Sequence, residues 1–226
     1  MILTPIPRAA LAAALERFAA QLDDPAARAA FARIRATSAE RAEGEAAETH
    51  RLEALALARS CGMAIHPAGV RSAFNWDATA LDGATEAYVI LHEAAHFVLA
   101  PPERRRLVDF GLGPGPDTRA RAAAERAAIL PIAERDADEA AASLLGILWE
   151  TALGQPALAS FSTRTGSKGW TARRRPISRR SFAGCAGSVL SHHSLSDSNR
   201  GDCVGSTRSK KACRREGNRR RARIDR

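Results

Sequence analysis

Between Tyr88 and Pro102 the chain reads YVILHEAAHFVLAPP, and no other stretch restricts its fold as much. Tyr88, Val89, Ile90 and Leu91 lead into the histidines, and Phe97, Val98 and Leu99 follow them. A run this apolar predicts a buried helix over roughly residues 84–100, stopped by Pro101-Pro102. His92 and His96 are four apart, so on a helix they share one face, with Glu93 between them in sequence. Two imidazoles and a carboxylate in a buried helix are costly unless something satisfies them. The pattern H-E-x-x-H offers a solution: both imidazoles bind one metal ion while the carboxylate reaches a bound water or substrate. Five-residue matches also arise by chance. The simpler alternative is a pair of core histidines bonded to backbone groups, with Glu93 turned to solvent. The apolar context favours the metal.

Two imidazoles are an incomplete site, because a catalytic metal usually takes three protein ligands and keeps a position open. AERDADEAAASLLG, residues 133–146, is the best downstream source. Glu134 and Asp138 are four apart, and Ala137, Ala141, Leu144 and Leu145 give the segment a small apolar side that could approach the histidine helix closely. Glu134 is the first choice of third ligand, with Asp138 orienting a histidine from behind. Asp136 and Glu139 read as solvated helix surface. Asp109 is a further candidate ligand, or a cap on the turn before the glycines. Arg105 and Arg106, with Arg104, could form an anion-binding edge; a solvated charge run explains them equally well. His50 and His66 read as ordinary surface or loop histidines.

The rest of the first 161 residues is mostly helical in pattern. Residues 8–21 space Leu11, Leu15, Phe18 and Leu22 at helical intervals, residues 25–36 repeat this with Phe31 and Ile34, and residues 38–60 are rich in Ala and Glu. GMAIHPAGVRSAFNWD breaks the pattern with two glycines and a proline, and predicts short strands at 63–66 and 71–76. GLGPGPD, 111–117, is a loop. Residues 118–130 predict a helix, and Pro131 opens the last one, which runs to about Leu153. The expectation is a mainly α protein with a small β element: an N-terminal helical region at 1–60, a metal-site domain at 61–161, and a tail at 162–226.

The tail is set apart by charge. The whole chain carries a net +9, but residues 162–226 hold 18 of the 34 Lys and Arg and only 4 of the 25 Asp and Glu. All three lysines and three of the four cysteines (Cys185, Cys203, Cys213) lie there, and the first 161 residues are net acidic. The tail has no helical or strand period. A basic arm for nucleic acid is one reading. A small metal or disulfide module lacks paired cysteine spacing, and His192-His193 does not supply it. The abrupt change after GQPALASF, from an Ala- and Arg-rich, lysine-free body, favours a frameshifted translation; reading the coding DNA in its other frames near codon 161 tests this. No apolar run approaches the ~20 residues of a membrane span. The first residues, MILTPIPRAALAAALERF, show no basic segment followed by a long apolar one, so the expected location is the cytoplasm. Cys61, alone in the body, supports no disulfide framework.

Two resemblances follow from these residues. HEAAH followed by ERDADEAAASLL resembles zinc metallopeptidases of the H-E-x-x-H … E-x-x-A-[DN]-x-x-A-x-x-L-L kind, with Glu134, Ala137, Asp138, Ala141, Leu144 and Leu145 matching the second pattern. The longer stretch LHEAAHFVLAPPERRRLVDFG…PDTR resembles the elongation factor P hydroxylase family, over about residues 88–150. There the match is His92, Glu93 and His96, the pair Arg105-Arg106, Leu107 to Gly111, Pro116 to Arg119, and the acidic stretch 134–139, whose register leaves Glu134 and the pair Asp136/Glu139 as alternatives. The aromatics expected after Asp109-Phe110-Gly111 are Gly-Leu-Gly here, residues 1–75 show no match, and the family's C-terminal part is missing.

Both resemblances imply a zincin-like arrangement, the H-E-x-x-H helix packed on a downstream acidic helix. The hydroxylase resemblance implies a non-haem iron held by two histidines and a carboxylate, with a modified lysine of elongation factor P as substrate. The peptidase resemblance implies zinc, with Glu93 as general base. A helical metal-binding protein without turnover is the third class.

Overall fold

The computed structural model describes residues 6–115 and 117–164. The tail from 165 on, with its cysteines, lysines and His192-His193, lies outside the described residues, as does Pro116. Seven α-helices are present among the described residues: α1 Arg8–Ala19, α2 Pro25–Arg35, α3 Gly44–Ser60, α4 Ala87–Leu99, α5 Arg121–Ala127, α6 Ile132–Ala152 and α7 Ala157–Arg164. None is long and apolar enough to cross a membrane.

Local chemistry explains most of the boundaries. Asp24 caps α2 by accepting the Ala27 N–H at 2.7 Å, and Pro25 takes the first helical position, where its missing N–H costs nothing. Pro101-Pro102 follows the end of α4. Pro131 sits one residue before α6, and Gly154, at φ 72°, follows its end in the left-handed conformation that glycine adopts without strain.

No strand forms at 63–66 or 71–76. The described residues hold instead two isolated bridges, Ile65 to Leu81 and Trp76 to Leu81. Both meet at Leu81, which is fully buried. The segment lacks an alternating apolar face, and Pro67 and Gly69 interrupt any ladder before it lengthens.

The 21-residue helix α6 organises the molecule by burying two faces. Leu144, Ile147 and Leu148 join Leu15, Phe31, Ile34 and Phe161 in one apolar cluster built with α1, α2 and α7. Trp149 and Leu153 face the other cluster, in which Leu55 of α3, Ile90 and Leu91 of α4, Trp76, Leu81 and Phe110 pack together. Helix α3 thus packs against α4 across the division at residue 60, and α2 reaches α6.

Helices α4 and α6 lie side by side along the functional seam. Small residues permit this: Ala95 and Ala142 meet at zero exposure beside Leu145. A Cβ added to Gly146 would stand 3.3 Å from the backbone of His92. The small face expected on α6 is therefore present but differs in register. Ala142 and Gly146 line it, whereas Ala137 is exposed.

Candidate metal centre

The face of α6 that Ala142 and Gly146 press on α4 carries Asp138 and Glu139 one turn earlier, opposite the histidines. Glu139 Oε2 lies 3.3 Å from His92 Nε2 and 3.6 Å from His96 Nε2, and the two imidazole nitrogens are 3.1 Å apart. Of the His, Cys, Asp and Glu side chains among the described residues, these three form the one group close enough to share an ion. The circle through their atoms has a radius of about 1.9 Å, a spacing compatible with ligand distances of about 2.0–2.1 Å, so these three residues could hold a metal ion. The donor set fits as well: two imidazoles and a carboxylate are ligands that both zinc and non-haem iron accept.

Glu139 therefore stands where the sequence reading put Glu134. Glu134 is exposed at the start of α6. Five residues separate it from Glu139, about 7.5 Å of helix rise, which carries it past the end of α4. Glu139 itself keeps 39% side-chain exposure, so the triad opens to solvent on that side, while His96 is 2% exposed.

Asp138 stands behind a histidine. Its Oδ2 lies 3.1 Å from His96 Nδ1. A carboxylate at Nδ1 fixes the ring so that Nε2 faces the triad. Asp138 is held in turn by Arg104, whose two terminal nitrogens donate to Oδ1 and Oδ2 at 3.0 and 3.1 Å. Burial alone would raise the Asp138 carboxyl, but His96 and Arg104 bring it down to about 2. Burial alone would likewise lower His96; Asp138 and Glu139 instead raise it to about 10. Against the same desolvation, His92 and His96 hold Glu139 well below the usual carboxylate range. A cation bound at His92 Nε2 and His96 Nε2 would need both nitrogens free of protons.

Glu93 is buried beside the histidines. It is 6% exposed, and its Oε1 accepts from Asn75 Nδ2 at 3.1 Å. Burial pushes its carboxyl up to about 7; His96 opposes the rise, and the nearby charges of Asp109 and Glu139 add to it. A carboxyl that titrates near neutrality beside a metal centre suits proton transfer.

The segment after α4 closes the back of the site. It runs through two 3-10 turns, Arg104–Arg106 and Val108–Gly111. Asp109 and Phe110 both take left-handed backbone, at φ 43° and 55°, which costs a non-glycine residue on the order of 1 kcal/mol or more. Their surroundings hold them there. Asp109 Oδ2 accepts from Thr118 at 2.6 Å, its Oδ1 accepts the Trp76 N–H, and its own N–H donates to the Trp76 carbonyl. Burial pushes the Asp109 carboxyl up, against those bonds. Asp109 is thus a buried tie to Trp76 and Thr118, outside the metal-ligand group. The Phe110 ring lies between Trp76 and His96, with centroids 5.6 Å from each.

The arginines divide their duties. Arg105 covers the Phe97 ring at 4.7 Å and donates to the carbonyls of Ala100 and Val98 at the end of α4. Arg106 is exposed. Arg104, expected only as a companion of Arg105 and Arg106 on an anion-binding edge, is the buried one. Asn75 had no site role in that reading, Thr118 entered it only within the Pro116 to Arg119 match, and no spacing rule singles either out. Of the other histidines, His66 pairs with Asp77 at 2.7 Å, and the backbone carbonyl of His50 accepts from Gln155.

Comparison with known proteins adds no relative: the chain matches no protein-family model, no curated protein and no solved structure.

Proposed function

We propose that this chain is a metal-dependent enzyme of the elongation factor P hydroxylase kind, with His92, His96 and Glu139 as its iron ligands. The observation that carries this reading is the place of the RRRLVDFG segment. Phe110 packs on His96, and Arg104 holds the carboxylate behind it. Phe110, which belongs to the hydroxylase resemblance and not to the peptidase one, thus lies against the candidate ligand His96, while Arg104 adjoins the matched pair Arg105-Arg106. The peptidase pattern, by contrast, draws its third ligand from Glu134, which is exposed.

Bound iron would supply the activation of dioxygen. The chain supplies the rest. The imidazoles and Glu139 hold the ion, and the solvent-facing side of Glu139 leaves an approach for a protein side chain. Glu93 holds or releases a proton at Oε near neutral pH. The substrate this reading implies is a modified lysine of elongation factor P.

A zinc hydrolase is the second reading, favoured by one observation: Glu93 adjoins a ligand histidine with its carboxyl near 7, as a general base requires.

The test begins with the metal content of the purified chain beside His92→Ala and His96→Ala. Near-stoichiometric iron, lost in both variants, followed by one added oxygen on modified elongation factor P by mass spectrometry, is the expected result. Stoichiometric zinc with peptide cleavage, abolished in Glu93→Gln while zinc is retained, would transfer the assignment to the hydrolase. No metal in any form would leave the histidines as core residues.

A further inference from the structure

We infer that Arg104 is a positioning residue of the metal centre: its guanidinium locks the Asp138 carboxylate onto His96 Nδ1 and so aims His96 Nε2 at the ion. This rests on the metal-binding part of the reading above and is independent of the reaction.

The geometry is a continuous chain of contacts. Arg104 is 8% exposed, in a segment whose neighbours Glu103 and Arg106 are exposed. Its Nε donates to the Phe110 carbonyl at 3.0 Å, and its two terminal nitrogens take one oxygen each of Asp138. All three guanidinium nitrogens are thus used, two as a fork that matches a carboxylate. The Asp138 Oδ2 held by this fork also faces His96 Nδ1, at 3.1 Å. The left-handed pair Asp109 and Phe110 sets the anchor: the residue whose carbonyl holds Arg104 also lays its ring on His96. One turn therefore fixes the imidazole twice, by stacking and through the relay Phe110 to Arg104 to Asp138. A lysine would keep the charge but lose the fork and the Nε anchor.

The experiment titrates the full chain with cobalt(II) alone, reading affinity and the visible d–d spectrum, which reports ligand geometry. It compares wild type, Arg104→Gln, Arg104→Lys, Asp138→Asn and the double variant Arg104→Gln/Asp138→Asn, each first shown to be folded by circular dichroism. Arg104→Gln is expected to weaken cobalt binding about 10- to 100-fold and alter the spectrum, and Arg104→Lys to recover only part of the loss. Because Arg104 acts through Asp138, the double variant is expected to bind no more weakly than Asp138→Asn alone. Wild-type affinity and spectrum in folded Arg104→Gln would overturn the inference, as would losses that multiply in the double variant. If Arg104→Gln fails to fold, Asp138→Asn decides, and unchanged cobalt binding there overturns it. A wild-type chain that binds no cobalt would overturn the metal centre as well, so the two failures are distinguishable.

Discussion

Phe161 and His96 are both almost completely buried against α6, at 1% and 2% exposure, yet the two regions around them are held together differently. Phe161 sits among Phe18, Phe31, Ile34 and Leu144, with the three rings 4.7–5.4 Å apart at tilted or edge-on angles. None of these five side chains carries a charge, and their cohesion grows with the apolar area removed from water. His96 sits among Glu93, Arg104, Asp109, Asp138 and Glu139. That seam holds four carboxyl groups and its cohesion is conditional, since each charge depends on its partner's staying in place. The apolar region can lose volume and keep its logic; the polar one changes character with a single charge.

The largest expected effect breaks the apolar side. Phe161→Ala should destabilise the fold by about 3–5 kcal/mol, read from the shift of a urea unfolding curve, while the fraction still folded binds metal with wild-type affinity. A fall in affinity as large as the fall in stability would mean that the two faces of α6 are not independent.

Next comes the polar side. Glu139→Gln should weaken zinc or iron binding about 100-fold, roughly 2.7 kcal/mol, measured by competition with a chromophoric chelator. Removing metal from the wild type with a chelator should lower its melting temperature and leave that of His96→Ala unmoved, because only the first binds the ion in the folded state.

A smaller effect separates the seam from the rest of its own cluster. Asp77 accepts from Thr79 and Ala80 and pairs with His66. Burial works against its ionised form, but those bonds bring its carboxyl down to about 2. A carboxyl lowered on folding contributes stability above its unfolded value of about 3.9 and loses it as pH falls toward 2. Asp77→Asn should cost on the order of 1–2 kcal/mol at neutral pH and flatten the stability profile between about pH 4 and 2. An unchanged slope in that window would remove Asp77 from the account. The smallest effect is a near-zero one: Glu134→Gln should leave metal affinity within about twofold, because the residue is exposed and about 7.5 Å of helix rise from Glu139.

Much of this was legible in the chain. The Asp24-Pro25 start of α2 and the Pro101-Pro102 stop of α4 act through the backbone alone, so α2 falls within a residue of expectation and α4 ends within one, although α4 starts three residues later than expected, at Ala87. His92 and His96 share a face by helical spacing wherever the helix is placed. Helix α7 was not foreseen, because it follows Gly154-Gln155-Pro156 and abuts the change of composition after Phe161. The choice of Glu139 had a faint sequence signal. Ala142 and Gly146 are the smallest pair at helical spacing on α6, and the acidic residues nearest their face, one turn back, are Asp138 and Glu139, not Glu134.

The sequence by itself determined a buried helix carrying two histidines and a glutamate, and an acidic helix able to approach it, because hydrophobic period, proline stops and residue size are local properties. The tertiary structure alone decided the register of α6 on α4, the burial of Arg104 and the left-handed turn at Asp109 and Phe110. Those depend on which atoms meet across more than thirty residues of chain, and no local pattern encodes the depth at which one helix comes to rest against another.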